Sequence, residues 1–214
     1  MRVLQISKFY PPVAGGIEST VRELTEGLNA RGVPTDVLCA NLAPASVRSR
    51  QNGYDVVRAA SLGTVLSTSL APSLVWHLRR MAPAYDVLHV HMPDPMAALA
   101  LRLARPEAAL VVHWHSDVIR QRMALRAYEP LQRWLLDRAD AVIATSPPYL
   151  NASAPLRPWR DKVHVVPIGI SDNPGRTGGA GAAAIRARLG GRRLVFALGR
   201  MTYYKGFDVL IDAA

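Results

Sequence analysis

Three short stretches bring together residue types that could do chemistry. The loop PPVAGGIES carries Gly15 and Gly16 between an apolar run and a helical pattern. Paired glycines let the backbone approach a ligand closely, and the helix N-terminus behind them presents unpaired N–H groups and the positive end of a dipole. An anion or a sugar hydroxyl would suit that loop. So would a tight turn in which Gly15 or Gly16 takes a positive φ and Glu18 complements the dipole. The second stretch is HWHSD, where strand alternation puts His113 and His115 on one side and Trp114 on the other. His115, Ser116 and Asp117 then fall at the strand end. A two-histidine metal site is one chemistry such a pair offers, and His89 with His91 offers another, but neither has an evident third ligand. His115 is expected to hydrogen-bond or polarise a sugar, with His89 and His113 as satisfied core histidines. The third stretch is ALGRMTYYKGF, where Arg200 follows an apolar run and Lys205 stands just ahead of a helix start. A cation there opposes the helix dipole by some tenths of a kcal/mol, about 0.3–1, so a negative partner is expected. A diphosphate held by the guanidinium, the ammonium and nearby backbone amides would supply it, and these charges would neutralise a leaving nucleotide. Two solvated surface cations are the other reading.

Such residues need elements to hold them. Apolar runs that read as buried strands recur at 2–7, 35–40, 55–59, 86–91, 109–114, 141–145, 162–166 and 193–198, separated by helical patterns at 17–31, 72–81, 95–104, 119–138 and a short one from Pro147. This alternation predicts an α/β fold, a doubly wound parallel sheet of Rossmann-like type. In such sheets ligands sit beyond the C-terminal strand ends, where Gly15, Gly16 and His115 fall. Ser146 before Pro147 is expected to cap its helix. The run SDNPGRTGGAGAAA (171–184) is rich in glycine and small residues and reads as a linker, followed by a helical stub at 185–189. The expected organisation is therefore a domain over 1–170, a linker over 171–191, and the first strand and helix start of a second domain over 192–214.

Composition narrows the partners. The 214 residues are 50% hydrophobic and 20% charged, enough for a substantial core. No apolar run reaches the roughly 18 residues of a spanning helix, and MRVLQISKFY is a strand-like start, so a soluble cytoplasmic protein is expected. Cys39, the single cysteine, sits in the apolar run VLCA and reads as a small buried residue. The net charge of +10, dense in arginine at 120, 122, 126, 133 and 138, favours polyanionic partners: a nucleotide diphosphate or an anionic membrane. No nucleic-acid partner is expected, because zinc spacing, an aromatic RNA-binding strand motif and a compact basic tract are all missing. A Walker sequence and the dinucleotide fingerprint are missing too.

Taken together and in order, FYPPVAGGIE, HWHSDVIRQ, IATSPPYL, VHVVPIGI and LGRMTYYKGFDVLIDAA resemble the retaining glycosyltransferases of family four over essentially the whole chain. The resemblance implies the GT-B arrangement of two Rossmann-like lobes, the first binding an acceptor and the second a nucleotide-sugar donor. It implies that the loop of Gly15 and Gly16 approaches the reacting sugar and diphosphate, that His115 contacts the transferred sugar, and that Arg200 and Lys205 hold the donor diphosphate. It also implies transfer with retention of configuration and without a metal ion or other cofactor. The acceptor implied is a glycan or lipid-linked sugar. Apart from the resemblance, the arginine density of the helix containing Arg120, Arg122 and Arg126 predicts peripheral, salt-sensitive contact with the inner face of the cytoplasmic membrane. Asp117 fits the pattern by position with no assigned chemistry. The family's paired glutamates of the second lobe do not occur in this sequence, so the 214-residue chain is expected to be inactive alone. The competing expectation is a non-catalytic acceptor lobe that acts as a glycan- or membrane-binding module.

Overall fold

A computed structural model describes residues 1–118, 122–169, 179–199, 201 and 203–214. The chain separates into two compact units, Met1–Ile168 and Gly169–Ala214. In the first, β1 (Val3–Ser7), α1 (Gly16–Ala30), β2 (Thr35–Ala40), β3 (Val47–Gln51) and β4 (Tyr54–Ala59) are followed by the two-residue strands β5 (Thr64–Val65) and β6 (Thr68–Ser69). Then come α2 (Ser73–Met81), β7 (Val87–Met92), α3 (Pro95–Ala104), β8 (Ala109–Trp114), α4 (Arg122–Arg138), β9 (Ala141–Ala144), α5 (Pro147–Ala152) and β10 (Val163–Val165).

Eight strands form one sheet in the order β10-β9-β8-β7-β1-β2-β4-β3. Every neighbouring pair is parallel except β3 with β4. The antiparallel β3 departs from the all-parallel expectation. Its sequence VRSRQ is polar and mostly exposed, and it pairs through the short turn at Asn52 and Gly53, both at positive φ. An edge hairpin of this kind carries no apolar run for a sequence pattern to detect.

The two faces of the sheet are chemically different. Leu4 and Ile6 of β1, Leu88, Val90 and Met92 of β7, and Leu110, Val112 and Trp114 of β8 belong to the main core with Leu74, Leu78, Leu101 and Leu135 of the covering helices. The alternate residues face the other way. There Val37, Cys39 and Val56 pack with Val21 and Ile17 of α1, and Gln5, His89, His91 and His113 are buried among them in the central strands. Burial pushes the Cys39 thiol up to about 12, in keeping with a small core residue. Ser146 caps α5 by accepting from the Tyr149 N–H, with Pro147 in the first turn, as the sequence predicts.

In the second unit, α6 (Ala180–Leu189) begins inside the expected linker, where consecutive alanines favour a helix. The strand expected at 193–198 is not formed among the described residues: Leu194, Val195, Phe196 and Leu198 lie outside any regular element and are 60–86% exposed. Apolar β-formers become a strand only when another strand completes the ladder. A 3-10 turn at Tyr203–Lys205 leads through Gly206, at φ 62°, into α7 (Phe207–Asp212).

Candidate functional site

Strand order locates the site first. β1 is followed by β2 on one side, whereas β7, β8, β9 and β10 succeed one another on the other, so the order reverses between β1 and β7. At such a switch point the connections leave in opposite directions and open a crevice above the C-terminal strand ends. The β1–α1 loop carries Gly15 and Gly16 to one wall. His115, one residue beyond β8, stands at the other, on a strand two places from β1, and its N–H donates to the Met92 carbonyl at the end of β7.

Gly15 precedes α1 with φ 178° and ψ 162°, and Gly16 is the first helical residue, so neither uses the positive φ that a tight turn would require. What Gly15 provides is space. A Cβ there would stand 2.0 Å from Glu18 Oε2, whose side chain folds back over the glycine, whereas a Cβ on Gly16 would meet nothing within 4 Å. The loop is held from beneath. Tyr10 is buried with its hydroxyl 2.8 Å from that of Tyr54, and Arg58 donates to the Pro11 carbonyl at 2.7 Å.

Behind the crevice the structure gathers four histidines. His91 and His113 are register partners on β7 and β8, His89 lies two residues back on β7, and His115 lies two residues on from His113. Their rings stack: His113 on His115 with centroids 4.1 Å apart at 11°, His91 on His113 at 5.2 Å and 28°, and His89 on His113 at 5.4 Å and 7°. Burial drives His89 down to about 3 and His91 well below its ordinary value, each helped by its histidine neighbours. Burial also takes His113 to about 4 and His115 to about 3, so all four are neutral at pH 7.

Two expectations are corrected here. His89 and His113 are not satisfied core histidines, because His89 Nε2 and both ring nitrogens of His113 have no partner among the described residues. The histidine pairs are also not isolated, since nitrogens of His89, His91 and His113 lie within 4.8 Å of one another and supply the third group that spacing alone could not show. The stacking is nonetheless poor for a metal. An imidazole coordinates through a lone pair in its own plane, and near-parallel rings send those lone pairs side by side rather than to one point. At least one ring would have to turn.

Asp117 is the anchor of this strand end. Its Oδ1 accepts from Trp114 Nε1 at 2.8 Å, from the Tyr149 hydroxyl at 2.7 Å and from the Ser153 hydroxyl at 2.8 Å, tying β8 to α5. It thereby fixes the backbone two residues after His115. Asp94, whose role the sequence marks only through the D-P-x-A pattern, caps α3 after β7 by accepting from the Met96 and Ala97 N–H groups, and burial raises its carboxyl to about 6.

The remaining expected site residues lie in the second unit. Lys205 closes the 3-10 turn that precedes α7, and Arg200 lies outside the described residues. Clefts of appreciable size occur away from the switch point. One of about 380 Å³, lined by Arg102, Arg105, Trp134 and Arg138, opens near the start of β8, at the opposite strand ends from His115.

Comparison with known proteins agrees with this fold. The chain is 34% identical over 215 residues to the D-rhamnosyltransferase WbpZ of Pseudomonas aeruginosa, and 31% identical over 215 residues to the O-antigen chain mannosyltransferase C of Escherichia coli. Each match covers 100% of this chain and 56% or 58% of the relative, so the chain spans little more than half the length of these proteins. Among solved structures, Anabaena HepE in complex with UDP-glucose superposes with a TM-score of 0.66 at 21% identity, over 100% of this chain and 57% of that one. That likeness establishes the shared fold, the Rossmann-like lobe of the GT-B glycosyltransferases. The glycosyl transferase 4-like domain matches residues 15–169, from the first glycine of the loop to the end of the eight-stranded unit, and the chain belongs to that family.

Proposed function

We propose that this chain is the acceptor-binding lobe, with the beginning of the donor-binding lobe, of a glycosyltransferase that moves a sugar from a nucleotide-sugar to a glycan or lipid-linked acceptor with retention of configuration. The observation that carries it is the placement of a glycine loop with a helix N-terminus and of a neutral, half-buried histidine on opposite walls of one switch-point crevice. A neutral imidazole can accept from a sugar hydroxyl without paying for a buried charge. Once the Glu18 side chain turns aside from Gly15, a ligand can reach the first amides of α1, whose dipole favours the negative charge that develops on a departing diphosphate. Lys205 and Arg200 would hold that diphosphate in the assembled enzyme, in place of a divalent metal. The nucleotide-sugar donor is supported by the UDP-glucose in the HepE complex, and a growing polysaccharide acceptor by the named activities of the two relatives.

Contact with an anionic membrane at the cytoplasmic face belongs to the same reading. It draws on the +10 net charge and on exposed Arg126 of α4. Arg120 lies outside the described residues, as does the side chain of Arg122. The helices α2 and α3 contain no acidic residue and add exposed Trp76, Leu99 and Leu103 beside Arg79, Arg80 and Arg102. Sedimentation with vesicles containing phosphatidylserine should be lost as salt is raised through physiological strength.

The direct test is calorimetric titration of the chain with mannose- and rhamnose-containing oligosaccharides and with UDP, GDP and their sugars. At least one acceptor should bind, and His115→Ala should weaken it by about tenfold, the loss of one well-placed hydrogen bond. Absence of binding across both panels, or binding indifferent to His115→Ala and Gly15→Ala together, overturns the proposal. Sugar transfer by the purified chain alone would overturn the assignment of the donor contacts to residues outside it.

A further inference from the structure

The hydrogen bonds behind His115 have a direction that the individual residues do not reveal. Gln5 of β1 presents its amide oxygen to His91 Nε2 at 2.8 Å, and His91 Nδ1 lies 2.9 Å from His115 Nε2. An amide oxygen only accepts, so His91 Nε2 carries a proton. A neutral imidazole has one N–H, which leaves His91 Nδ1 as a lone pair. His115 Nε2 must then donate to it. His115 is neutral as well, and its own Nδ1 is left as a lone pair with no partner among the described hydrogen bonds.

We infer that Gln5 and His91 are positioning residues that set the tautomer of His115, holding its proton on Nε2 and presenting Nδ1 to the crevice as a hydrogen-bond acceptor. The chain begins at a residue on the far side of the switch point from His115: β1 carries Gln5, β7 carries His91, and β8 leads to His115. Gln5 is 0% exposed and His91 1%, so water cannot compete for either bond. Burial also keeps the relay uncharged, because an extra proton on His91 would put a cation among three other imidazoles with no carboxylate in contact among the described residues. The histidine pairs of the sequence thereby acquire separate tasks. His91 orients, and His115 meets the ligand. That the ligand donates a sugar hydroxyl to Nδ1 rests on the proposed function, whereas the tautomer rests on Gln5 turning its amide oxygen to His91 and leaving its own Nε2 without a partner among the described residues.

The measurement is a long-range ¹H–¹⁵N correlation spectrum of the 214-residue chain labelled at histidine nitrogen, at pH 7, with His91→Phe and His115→Ala used to assign the two rings. His91 and His115 should both show a protonated Nε2 and an unprotonated, pyridine-like Nδ1. Gln5→Leu removes the acceptor that starts the chain and should shift the His115 tautomer ratio about fivefold toward Nδ1–H, the equivalent of one net hydrogen bond. A wild-type His115 that carries its proton on Nδ1, or on both nitrogens, overturns the inference without recourse to any variant. A Gln5→Leu chain that folds and leaves the ratio unchanged overturns the role of Gln5. If the tautomers are as stated but no sugar binds, the proposed function fails and the relay stands. If a sugar binds while His115 holds its proton on Nδ1, the relay fails by itself.

Discussion

Acidification should unfold the eight-stranded unit, because it buries histidines as neutral rings. His89 titrates near 3 and His113 near 4 in the folded chain, and His91 well below its ordinary value, all through burial. In the unfolded chain each titrates near 6.5. The folded pKa values are depressed, so the unfolded state binds more protons throughout the window between them, and stability falls as pH falls. The contribution of these rings is intact above pH 6.5 and is lost on the way down. At pH 5 each ring costs about 2 kcal/mol relative to pH 7, from 1.5 pH units below the unfolded pKa at about 1.4 kcal/mol each, or about 6 kcal/mol for the three. Asp94 works the other way. Its carboxyl, raised to about 6 by burial, takes up a proton in the folded state first and returns about 1 kcal/mol. A net loss of about 5 kcal/mol is comparable with the whole stability of an ordinary domain. Urea unfolding followed by circular dichroism at pH 7, 6 and 5 measures it directly, and His113→Leu should lower the proton uptake on unfolding at pH 5 by about one. Stability that changes by less than about 1 kcal/mol between pH 7 and 5 would refute neutral burial of the cluster.

Asp117→Ala removes the acceptor shared by Trp114, Tyr149 and Ser153 and should destabilise the chain by about 3 kcal/mol, whereas Asp117→Asn, which keeps a carbonyl oxygen, should cost about 1. Equal losses for the two variants in urea unfolding would show that the carboxylate charge, not its hydrogen bonds, anchors β8 to α5. Cys39 is 0% exposed and its thiol is pushed up to about 12, so a thiol reagent at pH 8 should label it only on the timescale of unfolding and fully in urea. Rapid stoichiometric labelling of the native chain would mean that the α1 side of the sheet opens freely.

Much of the sheet was legible in the sequence because its strands are buried on both faces and therefore apolar enough to register against the helical patterns between them. The runs at 35–40 and 109–114 coincide with β2 and β8, and the helical pattern at 95–104 with α3. The strand at 47–51 leaves no apolar signal because an exposed edge needs no apolar residue, and the run at 193–198 reads as a strand from its hydrophobicity alone, which does not reveal whether a neighbouring strand exists to pair with it. The histidines show the same division. Alternation placed His113 and His115 on one side and Trp114 on the other, which is local geometry and follows from a period of two. That His91 would stand opposite His113, and that Gln5 would approach from β1 across 86 positions of sequence, depended on strand order and register. By itself the sequence determined the element types and the residues brought to the strand ends, since both depend on neighbours a few positions apart. The tertiary structure decided which of those residues touch, and so turned two separate histidine pairs into one stacked, neutral cluster with a hydrogen-bonded path to His115.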